Sequence, residues 1–408
     1  MPSPLLHVLG AGPWQVATVR RARSLGYRVL VTDGSAGRPA CAEADLHAVA
    51  DITDPEATLA VARHHAIDGV LCDTTDNGVV AAAYVAQELG LPGSGLEAAL
   101  NCTDKARMTV CAQAAGLRVP RYERADSLEQ ARAVLGRLSV PCVVKPVDNQ
   151  SGRGVSIVRA ESDFEAAAAL AFSSSRRRQV LVQEWVAGVE LIVDAIVCDG
   201  AVHCLGIATK VAAADNATVA TRITYGSRVL PLSPVLIIET NARLVHALGV
   251  RQGLVHAEYL VHGGVPVPID VAARGGGVHI YPVVLPHVSG VDAMRAAIEM
   301  ALGRPCSLQP HPVPRAANIE FLRAAPGRIV AIDGLDTARA VPGVALLHLN
   351  RQVGDRSGAW HDKEQRLGHV ITLAETGDDA VAAGARAAQA LQVRVERQNI
   401  TTTSKGCK

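Results

Sequence analysis

The chain has 408 residues, enough for two to three domains at about 100–200 residues each, and its 49% hydrophobic and 19% charged content describes an ordinary globular protein. Forty basic against thirty-nine acidic residues give a net charge of +1, which removes any bulk electrostatic case for nucleic acid or an anionic membrane surface. No run reaches ~18 uninterrupted apolar residues, no basic segment precedes the first apolar run, and the nine cysteines include no C-x-x-C pair, so a cytoplasmic protein with free thiols is expected.

In chain order, Leu5–Leu9 is a short apolar run followed by the turn Gly10-Ala11-Gly12-Pro13-Trp14-Gln15. A helical pattern through Val16, Val19, Ala22 and Leu25 leads to a second apolar run from Tyr27 to Val31, closed by Thr32-Asp33-Gly34. The alternation continues with a helix from Pro55 to His64, a strand from Gly69 to Cys72, a helix from Val79 to Leu89 and the turn Gly90-Leu91-Pro92-Gly93. Such alternation predicts a doubly wound parallel sheet. Asp33 lies about twenty residues beyond the glycine turn, as a dinucleotide site expects. Gln15, however, stands where the third glycine belongs, and Pro13 and Trp14 crowd the turn, which favours a packing turn over a nicotinamide site.

A helix is expected from Asn101 to Gly116, capped by Thr103 or Asp104, with Lys105 in its first turn. Only six of the forty basic residues are lysine (Lys105, Lys145, Lys210, Lys363, Lys405 and Lys408). Where arginine is the default cation, a lysine marks a place for a compact ammonium, and this argument is applied to the first three. Lys145 ends the apolar strand Val140–Pro146 and opens a polar loop, Val147 to Gly154, that returns as the strand Val155–Val158. The hairpin forms a flap whose backbone N–H groups can wrap phosphate oxygens where Gly152 and Gly154 allow close approach. No G-x-x-x-x-G-K-[ST] occurs, so this is not a Walker loop.

Val180 to Glu190 reads as a strand and turn carrying Glu184 and Glu190, followed by the strand Leu191–Cys198. Leu254–Val261 and Val265–Val271 read as an antiparallel pair around Gly263-Gly264, which puts Glu258 and Asp270 on neighbouring strands. Two acids on adjacent apolar strands are costly to bury without a cation, and Mg²⁺ accepts one or two carboxylates together with nucleotide phosphate oxygens. Arg274 follows within reach. Arg176-Arg177-Arg178 reads as a solvated helix end, and the proline-rich segment Pro305–Pro314 as a linker. The fourteen histidines show no metal-binding spacing; His256 and His279 are the two expected to line a site, and most others to be surface or packing residues.

Taken in order, Lys105, Lys145 with its SGRG loop, Gln183-Glu184-x-Val186-x-Gly188-x-Glu190, His256-Ala257-Glu258 and Asp270-x-Ala272-x-Arg274 resemble the ATP-grasp superfamily. The likeness is to the carboxylate–amine ligase branch that holds biotin carboxylase, carbamoyl-phosphate synthetase and the L-amino-acid ligases. The resemblance implies an α/β and α+β protein. A pre-ATP-grasp doubly wound parallel sheet would span residues 1–100, and a two-lobed ATP-grasp domain residues 101–304, with its flap lobe at about 115–185. A small C-terminal closing domain would take residues 305–408.

The resemblance also implies roles. Lys105 and Lys145 would hold the α- and β-phosphates of ATP, and Gln150, Ser151, Gly152 and Gly154 would fold over the triphosphate. Glu184 and the backbone of Val186 would read adenine, and Glu190 the ribose. Glu258 and Asp270 would bind Mg²⁺, with Mn²⁺ as a substitute. Arg274 would hold the carboxylate substrate and Lys210 would stand near the γ-phosphate. Ala272 replaces the usual asparagine and Asp270 the usual glutamate, which leaves a weaker second metal open and steers the expectation towards carboxylate–amine ligation through an acyl phosphate.

The expected partners are a small carboxylate and a small amine, with no nucleic acid and no membrane. Dimers are frequent in the resembled family, so a homodimer is one assembly to test. The alternatives are carboxyphosphate or carbamoyl chemistry, an NAD-dependent dehydrogenase, and a non-catalytic ATP-binding protein.

Overall fold

The structure is a computed structural model that describes residues 3–150, 152–214, 216–227, 230–310, 315–358 and 363–396. Ser151, Pro312, Pro314 and the tail from Gln398 lie outside the described residues.

The N-terminal apolar runs pair in parallel. Leu5–Leu9 lies between Arg28–Asp33 and Gly69–Leu71, and a fourth strand, Leu46–Val49, adds to the outer edge of Arg28–Asp33. That fourth strand is short, and its residues alternate between half-buried and exposed, so hydrophobicity alone does not mark it. The helices Val16–Ser24, Pro55–His65 and Val79–Leu89 fall where the periodicity puts them. The segment expected as one helix from Asn101 to Gly116 is instead two, Leu96–Thr103 and Lys105–Ala114. Asp104 breaks the run: its backbone is extended, and its carboxylate accepts from the N–H groups of Ala106 and Arg107 at 2.9 and 3.1 Å. This N-cap satisfies donors that a continuous helix would have paired internally, and it starts the second helix at Lys105.

The flap is a four-stranded antiparallel sheet ordered Tyr122–Ala125, Val180–Glu184, Cys142–Pro146, Ser156–Val158. Opposite it lies an eight-stranded antiparallel sheet. In spatial order its strands are Val265–Ala272, Gly253–His262, Val189–Cys198, Ala201–Ala212, Ala220–Tyr225, Ala316–Leu322, Gly368–Ala374 and Val344–Leu349. The strands before and after the 305–314 segment thus belong to one sheet. A small third antiparallel sheet joins Arg356–Ser357, Gly327–Asp333 and Gln392–Glu396.

The largest core cluster runs from Leu6 and Val8 of the parallel sheet through Tyr281 and Met294 to Ile192 and Tyr225 of the large sheet, which fixes the N-terminal sheet against the strands that carry the site. Cys198 and Cys306 form a disulfide, a correction to the expectation of free thiols throughout; Cys41, Cys72, Cys102, Cys111, Cys142 and Cys204 are free. Among the described residues no helix is long and apolar enough to cross a membrane.

Candidate active site

A cavity of about 1340 Å³ opens between the flap and the large sheet. Of the described residues expected at a site, all except Gly154 and His279 line it. Glu258 and Asp270 are direct cross-strand partners, so both carboxylates stand on one face of the sheet. The cations converge on them. The Lys105 ammonium is 3.0 Å from Asp270 Oδ1 and donates to the Asn149 carbonyl at 2.9 Å. Lys210, directly opposite Glu190 across the strands, forms a close ion pair with it and lies 3.4 Å from Glu258 Oε1. Lys145 donates to the Ile269 carbonyl at 3.3 Å.

These contacts explain the electrostatics. Burial alone would raise the Glu258 carboxyl, but Lys210 and Lys363 hold it below its ordinary value. Glu190 goes the other way: burial outweighs its attraction to Lys210 and raises it. Among the described residues no carboxylate is hydrogen-bonded to Lys145, and burial, with Lys105 nearby, pushes its ammonium down to about 8. Burial also lowers Lys105, but Asp270, together with Asp76 and Glu258, more than compensates. Buried charges that face other charges in one cleft are the arrangement a polyanionic ligand can complete.

The flap loop is tied at several points. The Lys105 N–H donates to the Val147 carbonyl at 2.9 Å, Asn149 Nδ2 donates to the Ser174 carbonyl at 2.7 Å, and Gln150 Oε1 accepts from the Asp76 N–H at 3.2 Å. Gly154 has φ of +74°, and a Cβ there would come within 2.7 Å of Ser174 Oγ, so only glycine fits that turn.

Several expected roles meet a different geometry. The Glu184 carboxylate accepts from the Arg121 N–H and Nε at 3.2 and 3.3 Å, so in this structure it faces the flap's own arginine. Glu190 is committed to Lys210. The arginine run is not a plain solvated end: Arg177 pairs with the Asp104 cap at 2.7 Å and Arg176 with Asn77, joining the flap to the helices beneath. Sequence reasoning also missed Asp76, which holds Arg274 through two bonds, Oδ1 to Nε at 2.7 Å and Oδ2 to Nη2 at 3.2 Å. Its signal was a lone acid in a loop, indistinguishable from a turn residue. Lys363, set aside with the C-terminal lysines, lines the same cavity, and burial pushes it down to about 8.

The glycine turn is braced by its own chain, although Gly10, Gly12 and Asp33 also line the cavity. Ala11 N–H donates to Asp33 Oδ2 at 3.0 Å, and the buried Gln15 amide donates to Asp73 and Thr74, which matches the packing reading. Among the described residues no group of three or more His, Cys, Asp or Glu side chains could hold a metal ion. Two facing carboxylates still fit a hard divalent cation whose remaining ligands are phosphate oxygens and water.

Two segments of the chain match known protein families. Residues 138–281 match the ATP-grasp domain, and residues 320–396 the L-amino acid ligase C-terminal domain 2. Uncharacterized protein y4rH of Sinorhizobium fredii is 26% identical over 305 residues, 72% of this chain and 62% of its own. The formate-dependent phosphoribosylglycinamide formyltransferase of Anaeromyxobacter dehalogenans is 33% identical over 182 residues, 44% of this chain and 47% of its own. The chain thus spans less than two thirds of the length of these curated relatives. Among solved structures, the L-amino acid ligase from Bacillus licheniformis superposes with a TM-score of 0.82 at 21% identity, covering 97% of this chain and 100% of that one. Phosphoribosylglycinamide synthetase from Anaerococcus prevotii gives 0.75 at 18%, with the same coverage. On its two matched segments the chain belongs with the ATP-grasp proteins, residues 138–281 being an ATP-grasp domain and residues 320–396 an L-amino acid ligase C-terminal domain 2.

Proposed function

We propose that this chain is an ATP-dependent ligase that joins a small carboxylate to an amine through an acyl phosphate, releasing ADP and phosphate. The observation that carries the reading is the convergence of Lys105, Lys145, Lys210 and Arg274 with the facing pair Glu258 and Asp270 around one cavity.

Lys105 and Lys145 bind the phosphates of ATP, and the flap loop from Gln150 to Gly154 covers them. The strand end at Glu184 and the backbone of Val186 take the adenine. Glu190 takes the ribose once Lys210 turns from it to the γ-phosphate. Glu258 and Asp270 would hold Mg²⁺, which when bound would neutralise charge on the phosphate oxygens. A carboxylate oxygen of the substrate, oriented by Arg274, attacks the γ-phosphorus; the bond to the β–γ bridging oxygen breaks and ADP leaves. The amine then attacks the acyl carbon and displaces phosphate, its proton passing to solvent. Positioned cations and a water-excluding flap account for the catalysis without covalent chemistry by the protein.

The test is phosphate and ADP release across pairs of amino acids and small carboxylates with magnesium. Release that requires both a carboxylate and an amine supports the reading, and none across the screen overturns it. A cytoplasmic setting and a homodimer belong to the same proposal. Sedimentation equilibrium checks the dimer, and fractionation of the producing cells checks the compartment.

A further inference from the structure

Four rings meet at the edge of the large sheet opposite to Glu258 and Asp270. Trp14 lies 5.0 Å from His279, 5.5 Å from His348 and 6.1 Å from His369, centroid to centroid. The imidazoles are 5.3 to 5.4 Å from one another, and His279 Nδ1 and His369 Nε2 share a hydrogen bond of 3.2 Å. They come from distant parts of the chain: the glycine turn, the segment after Arg274, and the last two strands of the sheet. Val278 and His279 both have left-handed backbones, φ 56° and 59°. For valine this conformation is a genuine outlier, of the kind that persists where the surroundings over-determine it and that clusters at functional sites. Here it turns the chain from Arg274 towards the indole.

The cluster is not sealed in the core. Trp14 and His369 line the large cavity, together with Phe321, Lys363 and Arg366. Its chemistry selects an occupant. Burial holds His279 at about 4 and His369 at about 3, so both are neutral near pH 7 and offer ring faces and edges. They form no metal-holding group. Arg366, stacked over Phe321 with its Nε lacking a hydrogen-bond partner among the described residues, and Lys363 put positive charge on the same wall, which disfavours a cationic side chain. A flat, uncharged ring gains stacking and edge contacts here that an alkyl chain does not.

We propose that this ring cluster is a side-chain subsite that binds an uncharged aromatic ring of one of the two ligase substrates, packed against Trp14. The proposal rests on the ligase reading, which places a small carboxylate or amine in this cavity.

The first measurement is calorimetric binding of L-phenylalanine, L-alanine and L-lysine to the full chain with magnesium and a non-hydrolysable ATP analogue. The expected order is phenylalanine tightest and lysine weakest. Trp14→Ala cuts the phenylalanine-to-alanine affinity ratio about tenfold, while Trp14→Phe, which keeps a ring, retains most of it. Phenylalanine binding no tighter than alanine in the unaltered protein, or a ratio untouched by Trp14→Ala, overturns the subsite. The second measurement is ADP release with the same amino acids in pairs. If binding follows the expected order but no pair releases ADP, the ligase reading fails and the subsite stands. If ADP is released without aromatic preference, the subsite fails and the ligase reading stands.

Discussion

The two ends of the cavity are built on opposite plans. Around Glu258 and Asp270 nearly every side chain is charged, and most charges face an opposite one: Lys105 with Asp270, Lys210 with Glu190 and Glu258, Arg274 with Asp76, whereas Lys145 donates to a backbone carbonyl. Around Trp14 the rings are neutral and held by burial and packing, with Arg366 and Lys363 on the wall beside them. Charged groups buried in mutual contact are costly unless each is compensated, so the first end is a set of pairs that a triphosphate and a divalent cation rearrange. Among its described residues the second end has no such ion pairs, only Arg366 and Lys363 on its wall. It discriminates by shape, and its selectivity is correspondingly modest.

Removing a charge at the paired end carries the largest expected effect. Lys145→Ala lowers kcat/KM for ATP about a thousandfold, the upper range for losing one preorganised donor to a developing charge, with the far-ultraviolet circular dichroism unchanged. Full activity in that variant removes the phosphate role of Lys145 and with it the contrast between the two ends.

Next comes the carboxylate that the motifs did not reveal. Asp76→Ala leaves Arg274 buried without its two-point anchor. A substrate-positioning group displaced by about an ångström costs up to a hundredfold, so kcat falls about tenfold to a hundredfold while KM for ATP stays within a factor of two. The side chains are 13% and 25% exposed, so the accompanying loss of stability is about 2 kcal/mol, below that of a fully enclosed pair. Urea midpoints measure it, and an unchanged kcat shows that Arg274 is held by the sheet alone.

The pH response separates the lysines from one another. In its proposed role Lys145 binds phosphate as a charged ammonium, and burial brings that ammonium down to about 8, so in the free enzyme the competent form is lost as pH rises through that value. The expected kcat/KM for ATP is flat below about pH 8 and falls towards tenfold per pH unit above it. Lys145→Arg, whose guanidinium stays charged, moves the fall to higher pH. A profile identical in both proteins assigns the titration to Lys363, which sits at about 8 for the same reason.

The contrast also explains what the sequence could disclose. Charged residues within apolar strands are rare enough that Lys145, Glu258 and Asp270 stand out, and strand register puts the two acids opposite one another. The parallel sheet was legible from alternation, apart from the edge strand Leu46–Val49, which buries little and carries no strong pattern. Trp14, His348 and His369 were invisible because no motif distinguishes a ring that packs from a ring that binds; only the closing of three distant segments brings them together. Asp76 and the Cys198–Cys306 pair were hidden for the same reason, both being long-range partnerships between ordinary residues.

Glu184 belongs to neither plan, and the smallest prediction concerns it. Its carboxylate is held by Arg121, and the two side chains are 37% and 67% exposed, where such a pair contributes at most about 1 kcal/mol. If Glu184 turns to the adenine on binding, that pair must first part. Arg121→Ala removes the contact in advance, while the backbone bond from the Glu184 N–H to the Arg121 carbonyl, 2.8 Å, keeps the strand in place. The expected outcome is a KM for ATP lowered by up to about fivefold, the full worth of a 1 kcal/mol surface pair, with GTP gaining nothing. A raised KM reverses the argument: Arg121 then holds Glu184 in its binding pose, and the pair belongs with the preorganised charges of the phosphate end.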